Sequence, residues 1–337
     1  MMRGWAVSGR PGGPGRLVEV SRRPPSPAAD EVLVRVSVCG VCRTDLHLGD
    51  LELRPRREQV IPGHEVVGEV VELGDGCTRF SVGDRVGIAW LRRTCGSCRA
   101  CRRGRENLCR RSEYTGWDAD GGFAEYAVAP EAFAYVLPDA FSDEEAAPLL
   151  CSGIIGYRAL RRADVPPAGT LGIYGFGASA HLTAQLAIAQ GLEVHVLTRD
   201  ESARRLATEL GASSVGPADG RPPVPLDGAI LFAPVGTLVP VALASLEQGG
   251  TLAVAGIHLS DIPVLDYQRH LFRERSLTSV TANTRTDGEE LLALAAALDI
   301  RPRVTTYGFA HVDRALSDLA NGDVTGAAVA RIADPLP

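Results

Sequence analysis

"GTLGIYGFGASAHLTAQLAIAQGLEVHVLTR", residues 169–199, decides the fold. It passes from a short apolar strand through a glycine-rich turn into an apolar helix and then a second strand. That order makes a βαβ unit, which requires a parallel sheet. Within it, Gly175-Phe176-Gly177-Ala178-Ser179-Ala180 reads G-x-G-x-x-A. Taken alone the motif is weak, and an ordinary βα turn would also satisfy it. Between a strand and a helix it has the context of a nucleotide turn. Gly175 permits the tight turn, Gly177 lets the backbone approach a pyrophosphate, and Ala180 keeps the helix close to the sheet. The helix N-terminus then faces the anion.

The end of the second strand bears on which dinucleotide is bound. An acidic ribose ligand is expected about 20 residues beyond the turn. Here the edge carries Thr198 and Arg199, with Asp200 after them. A hydroxyl and a guanidinium suit a 2′-phosphate, which points to NADP before NAD. Asp200 would favour NAD if it turned inward, and could otherwise cap a helix over 201–210. Arg199 could also be a solvated residue at that helix start.

Downstream, "ESARRLATELGAS" (201–213) predicts an amphipathic helix ending at Gly211. "DGAILFA" and "GTLAVAGI" predict buried strands, with a helical "TLVPVALASLEQGG" between them. Residues 285–337 hold two helical stretches, "EELLALAAAL" and "DRALSDLANG", around the β-like "RPRVTTYGF". Upstream the texture differs. "EVLVRVSV", "HEVVGEVVELG", "DRVGIAW" and "GGFAEYAVAP" read as strands. Residues 1–150 also carry seven of the eight cysteines. A chain of 337 residues, 45% hydrophobic, is large enough for two domains. The expectation is an α/β protein: a Rossmann-type, doubly wound parallel sheet plus a β-rich domain.

Composition excludes several functions. Lys and Arg number 35 against 41 Asp and Glu, for a net charge of −6, which argues against general nucleic-acid binding. All the basic residues are Arg, so neither a Schiff-base lysine nor a P-loop lysine exists. "MMRGWAVSGRPGGPG" has no apolar signal core, and no stretch approaches a membrane span. The expected setting is the cytoplasm, where thiols stay reduced.

"TCGSCRACRRGRENLC" (94–109) spaces Cys95, Cys98, Cys101 and Cys109 as C-x2-C-x2-C-x7-C. A reducing compartment disfavours disulfides. Neither the bacterial nor the plant-type iron–sulfur spacing matches. Tetrahedral zinc accommodates the uneven spacing, and four thiolates leave no open position, so this zinc is structural. The same stretch carries Arg92, Arg93, Arg99, Arg102, Arg103, Arg105, Arg110 and Arg111 against Glu106. A nucleic-acid zinc ribbon would look similar. No aromatic residue is interleaved for base stacking, so the arginines read as solvated and as partly offsetting a negative zinc centre.

The other informative residues are scattered: Cys42, Thr44, Asp45 and His47 in "CGVCRTDLHLGD", His64 and Glu65 in "IPGHEVVG", Cys151 in "APLLCSGIIGYRAL". Separately, Cys151 could be a core thiol and His64 a surface residue. Cys39 and Cys77 read as core or loop thiols. Together with "GDRV", the four-cysteine lobe and "GFGASAH", in this order along the whole chain, they resemble the zinc-dependent medium-chain alcohol dehydrogenases of short bacterial type.

The resemblance implies a GroES-like catalytic domain over 1–150 with its zinc lobe at 92–111. A Rossmann domain over 151–282 and a C-terminal return over 283–337 would follow. It implies a catalytic zinc on Cys42, His64 and Cys151, with Glu65 behind it as a transient ligand, so two Zn2+ per chain. Asp45 would orient His64, Thr44 would bond the substrate oxygen, and His47 would relay the proton to solvent. Arg285 would contact the cofactor pyrophosphate, and Trp90, Leu91 and Trp117 would shape the pocket. The implied reaction is reversible oxidation of a small-molecule alcohol to an aldehyde or ketone with NADP or NAD, by a homo-oligomer, tetramer or dimer. Ala180 stands in place of the more usual third glycine, and Thr198 in place of the acidic ribose ligand. Two alternatives differ in metal and turnover. A zinc-free NADPH quinone or enoyl reductase of the same fold lacks both ligand sets, and a non-catalytic zinc regulator using the Arg-rich lobe on nucleic acid would not turn over NAD(P)H.

Overall fold

The computed structural model describes residues 1–7 and 17–333. Residues 8–16 of the expected catalytic domain and 334–337 of the expected return lie outside them. The chain divides into two compact units: Met1–Cys151 with Ala282–Ala296 and Arg303–Pro337, and Ser152–Thr281 with Ala297–Pro302. The expected boundary shifts by one residue, so Cys151 groups with the first unit. Residues 297–302 go with the second unit, where the Gln185 side chain bonds the Arg301 backbone on both sides, at 2.9 and 3.1 Å.

The first unit is built on strand Glu31–Val41, whose Val32, Val34 and Val36 are fully buried. These alternate residues share one buried face, and the strand is central because it is paired along both edges, by Val66–Leu73 on one and Ala327–Arg331 on the other. The seven-stranded sheet runs Val304–Gly308, Ala327–Arg331, Glu31–Val41, Val66–Leu73, Arg85–Ile88, Ala134–Val136, and Tyr126–Pro130 also pairs with Glu31–Val41. The C-terminal strand lies beside the central one, with Val329 opposite Gly40 and Ala330 opposite Cys39.

"GGFAEYAVAP" joins the sheet only from Tyr126 onward. The N–H groups of Gly121, Gly122 and Phe123 instead donate to the carbonyls of Ile61, Gly63 and Pro62, at 2.7 to 3.0 Å. Close approach is the reason. A Cβ on Gly121 would sit 2.0 Å from the Gly63 carbonyl oxygen. This short ladder fixes the backbone of the Pro-Gly-His turn from below. Two of the eight lobe arginines also depart from the solvated reading. Arg92 is buried, bonded to Glu31 and to the Val128 carbonyl, and Arg93 pairs with Asp30 at 2.7 Å. They anchor the lobe's root, because a buried guanidinium is tolerated only when paired.

The second unit is a six-stranded sheet ordered Ser214–Gly216, Glu193–Leu197, Thr170–Tyr174, Leu226–Leu231, Leu246–Val254, Ser276–Ser279, with every pair parallel. Numbered along the chain, this is the 3-2-1-4-5-6 order of the doubly wound fold. Helix Ala178–Ala189 buries Ala180, Leu182, Ala184, Leu186 and Ala187. The helix expected over "TLVPVALASLEQGG" stops at Ser245, because Leu246 already pairs with Leu226 in the parallel ladder. No described helix is long and apolar enough to cross a membrane.

Gly121→Ala should destabilise the protein by about 1–3 kcal/mol in urea unfolding, the usual cost of overpacking. Gly216→Ala, where a Cβ meets nothing within 4 Å, is the control and should be neutral.

Candidate active site

Cys42 precedes helix Arg43–Gly49, which carries Thr44, Asp45 and His47. The helix start is held by Asp45, whose Oδ2 accepts the Cys42 N–H at 2.9 Å, so the thiol is not needed as a cap. Asp45 Oδ1 accepts the Gly63 N–H at 3.1 Å and lies 3.3 Å from His64 Nδ1. One fully buried carboxylate therefore joins two segments that are separate in sequence. Cys151 arrives from a π-helical turn, Leu149–Gly153, inserted between helices Asp143–Pro148 and Ile154–Ala163. Such turns carry an extra residue and redirect a side chain.

Cys42, His64, Glu65 and Cys151 each bring one donor atom within 4.8 Å of all the others. The two sulfurs are 4.0 Å apart, and Thr44 Oγ1 lies 3.7 Å from Cys42 Sγ. The Glu65 carboxylate packs over Gly40, where a Cβ would fall 1.8 Å from Oε2. The Cys151 hydrogen bond holds the Cys42 thiol well below its ordinary range against the effect of burial, with help from His64. Cys151 is pushed up by Cys42 and by burial, and Glu65 by burial and the Cys42 charge. Burial opposes charge on His64, but Asp45 outweighs it and raises the imidazole. Four acidic groups thus share a dry site with a single imidazole. Buried charges of this kind are paired or bind a metal, and the donor set is one that zinc takes. A tetrahedron of zinc–sulfur bonds of about 2.3 Å has edges of about 3.8 Å, close to the sulfur separation.

The lobe passes the same test. Its four sulfurs also lie within 4.8 Å of one another, with Cys98–Cys101 at 3.5 Å and Cys95–Cys101 at 3.9 Å. Disulfide sulfurs would be about 2.05 Å apart. Backbone N–H groups of Cys95, Cys98 and Arg111 point at cysteine sulfurs, at 3.3 to 3.5 Å, as thiolates require. Arg111 lowers Cys95 to about 5, while burial and the neighbouring thiols raise Cys101 to about 11.

The nucleotide turn lies at the end of strand Thr170–Tyr174. Gly175 takes φ +85, and a Cβ there would lie 2.8 Å from the Ala233 nitrogen. Gly177 caps helix Ala178–Ala189, and a Cβ there meets nothing within 4 Å, which leaves the helix N-terminus open to a phosphate. Ala180 is fully buried against the sheet. Thr198 is buried, and Arg199 is exposed. Asp200 caps helix Glu201–Glu209 through Oδ1, accepting from Ala203 N–H at 2.7 Å and Ser202 Oγ at 2.6 Å.

Arg285 belongs to the first unit and is held there by Glu106. Its Nε and Nη2 fork onto the carboxylate at 3.0 and 2.7 Å, its backbone N–H adds a bond at 2.8 Å, and its guanidinium lies over Phe133. Burial would raise Glu106, but Arg285 holds it below the usual carboxylate range. This fork ties the lobe to helix Arg285–Ala297. His47 Nδ1 lies 2.6 Å from Glu52 Oε2. Trp90 meets His64 edge-on at 4.8 Å and stacks with Tyr114 and Trp117, at 5.0 and 5.9 Å. Leu91 is buried. Sequence reasoning missed Tyr114 and Glu52. The only signal for Tyr114 was its place three residues before Trp117, in a chain with just 5% aromatic residues.

The sequence pattern of the alcohol dehydrogenase GroES-like domain matches residues 28–139. The chain is 58% identical to the Probable alcohol dehydrogenase AdhA of Mycobacterium tuberculosis over 97% of this chain and 96% of the relative. It is 35% identical to an alcohol dehydrogenase of Geobacillus stearothermophilus, over 94% and 95%. Among solved structures, a thermostable alcohol dehydrogenase from Pyrobaculum aerophilum with cobalt and zinc bound is similar at a TM-score of 0.90 and 27% identity, over 98% and 100% of the two chains. Acetophenone reductase from Geotrichum candidum in complex with NAD is similar at 0.88 and 26%, over 99% and 98%. A cinnamyl alcohol dehydrogenase from Sorghum bicolor is similar at 0.89 and 27%, over 98% and 97%.

Metal analysis should return about two zincs per chain, one for each ligand set. Cys42→Ser should keep about one zinc and the wild-type melting temperature. Cys109→Ser should lose the other zinc and melt several degrees lower, because lobe folding and metal binding are coupled.

Proposed function

Because the chain belongs to the zinc-type medium-chain alcohol dehydrogenases, it interconverts alcohols and their carbonyl partners with zinc and NAD(P), and we propose that Cys42, His64 and Cys151 form its catalytic zinc site. The observation that carries this reading is the convergence of those buried donors, with Glu65 behind them and Thr44 beside them. Cys95, Cys98, Cys101 and Cys109 then hold the structural zinc. When bound, the catalytic zinc favours loss of the alcohol proton, and the nicotinamide accepts the hydride.

The chain's own residues position groups and handle the proton. Asp45 engages Nδ1 of His64 and leaves the other ring nitrogen for the metal. The Thr44 hydroxyl hydrogen-bonds the substrate oxygen and takes its proton as it gives up its own. His47, three residues further along the same helix, shares that face and receives the proton. The Glu65 carboxylate offers a further donor while ligands exchange.

For the dinucleotide the reading is NADP over NAD. The Asp200 carboxylate is committed to the helix cap, and Arg199 is exposed at the strand edge beside Thr198. Arg199 can fork onto a 2′-phosphate, and no acidic group competes from the capped position.

The Trp90–Tyr114–Trp117 stack points to the substrate class. Its inner ring touches the zinc ligand His64, so an alcohol bound there lies along a flat apolar wall. Flat aromatic alcohols fit such a wall, in keeping with the substrates named for the sorghum and Geotrichum enzymes.

Benzyl and cinnamyl alcohols should exceed ethanol in kcat/KM by at least about tenfold, as buried ring area dictates. Trp90→Ala should remove most of that advantage, and an unchanged ranking would refute the aromatic wall.

With both cofactors, NADP should give the higher kcat/KM. Arg199→Ala should cost NADP about tenfold or more while leaving NAD nearly unchanged, as expected for loss of one charged fork. An NAD preference that disappears in Asp200→Ala would contradict this reading.

A further inference from the structure

The lobe carries more positive charge than its metal or its fold uses. Arg99, Arg102, Arg103, Arg105, Arg110 and Arg111 are all exposed, in a chain whose net charge is −6. The only acidic residue between them, Glu106, is committed to Arg285. A zinc on four thiolates carries a charge of about −2, and two of the arginines can answer it from bonded positions. Arg111 Nη2 lies 3.4 Å from Ser97 Oγ and acts on Cys95, and Arg102 Nη1 donates to the Ser97 carbonyl at 2.7 Å. Arg99, Arg103, Arg105 and Arg110 enter no ion pair among the described residues. Like charges crowded in this way repel one another unless an anion joins them.

We propose that Arg99, Arg103, Arg105 and Arg110 form a binding site for an oligophosphate anion, free or carried on a nucleoside. All four line one cavity of about 460 Å3, whose more buried wall is Cys95, Cys98 and Cys109. That volume is in the range of small-molecule sites and far exceeds one metal ion. Guanidinium groups fork onto phosphate oxygens, and several of them together select a ligand with several phosphates in a row. Leu108, 41% exposed, adds an apolar wall that a nucleoside can cover. The backbone beneath the arginines is already set. The N–H groups of Arg103 and Arg105 both donate to the Ala100 carbonyl, at 3.1 and 3.0 Å, around Gly104 at φ +67. Only side chains remain to be ordered on binding, which lowers its cost. A cavity without an aromatic ring suits a compact anion better than a nucleic-acid strand, which needs rings to stack on.

The test uses the zinc-loaded enzyme with saturating NAD, which occupies the dinucleotide turn. Sodium tripolyphosphate, ATP, sulfate and a short DNA duplex are each titrated by calorimetry at low salt. Tripolyphosphate should bind once per chain, at least about tenfold tighter than sulfate, and should weaken as salt screens the arginines. ATP binding more tightly than tripolyphosphate would assign the phosphate chain to a nucleotide, and ATP binding more weakly to a free oligophosphate; either supports the site. Arg103→Ala combined with Arg110→Ala should weaken tripolyphosphate by about a hundredfold, as for the loss of two charged forks. Arg23→Ala, at an exposed arginine outside the lobe, should change nothing. The double variant should keep its zinc and its kcat, and should melt at or above the wild-type temperature because crowding is relieved. Tripolyphosphate should raise the melting temperature of the wild type and leave that of the double variant where it was. A double variant that loses zinc or melts lower without ligand would show that the arginines serve the metal centre, and would overturn the proposal. Tripolyphosphate binding that survives in the double variant, or is no tighter than sulfate, would also overturn it. So would saturable binding of the duplex without binding of tripolyphosphate.

Discussion

The carboxylate of Asp45 is the constraint on which the rest of the site depends. One oxygen holds the Cys42 N–H at the start of the helix that carries Thr44 and His47. The other holds the Gly63 N–H of the turn that carries His64 and Glu65, and stands against the His64 ring. A carboxylate with no exposure to water is costly unless its oxygens are bonded, and these two backbone bonds and the imidazole meet that requirement. Geometry and electrostatics are therefore one problem here. The group that aligns the two segments is also the charge that sets the state of the imidazole. Beneath it, the Gly121–Phe123 ladder holds the same turn from the opposite side and leaves its backbone little freedom.

The two proposed metal sites show different ways of gathering ligands. The lobe takes four cysteines from one short loop and needs little from elsewhere beyond anchorage, which Arg92–Glu31 and Arg285–Glu106 provide. The second site draws on a helix start, a Pro-Gly turn and a π-helical turn. It exists only once the sheet around Glu31–Val41 has formed. The first can fail locally, whereas the second fails with the fold of its unit. A closed set of four thiolates suits a structural role. A set of two thiols and an imidazole beside a hydroxyl suits chemistry.

What was legible in the sequence was what is local. The nucleotide turn, the four lobe cysteines and the Asp200 cap each lie within a few residues of the groups they work with, and spacing alone carried them. The strand Glu31–Val41 was legible over residues 31–38 because alternate residues Val32, Val34, Val36 and Val38 are apolar and line one buried face. The scattered set of Cys42, His64 and Cys151 could be assembled only through family resemblance, since no spacing rule spans it. The engagement of Arg285 was not legible for a related reason. Its partner Glu106 lies 179 residues away, and only the folded chain shows that the fork is taken. Arg92 looked solvated because Glu31 comes from another strand. The glycines of 121–122 resembled ordinary strand residues until their distance from the Pro-Gly turn was known.

The central claim is that a zinc sits among Cys42, His64 and Cys151, in a site distinct from the lobe. Anomalous diffraction from crystals of the purified enzyme, collected on both sides of the zinc absorption edge, tests it most directly. The account predicts two peaks per chain, one bounded by Cys42, His64 and Cys151 and one by Cys95, Cys98, Cys101 and Cys109. A catalytically active crystal form with the lobe peak alone would contradict it.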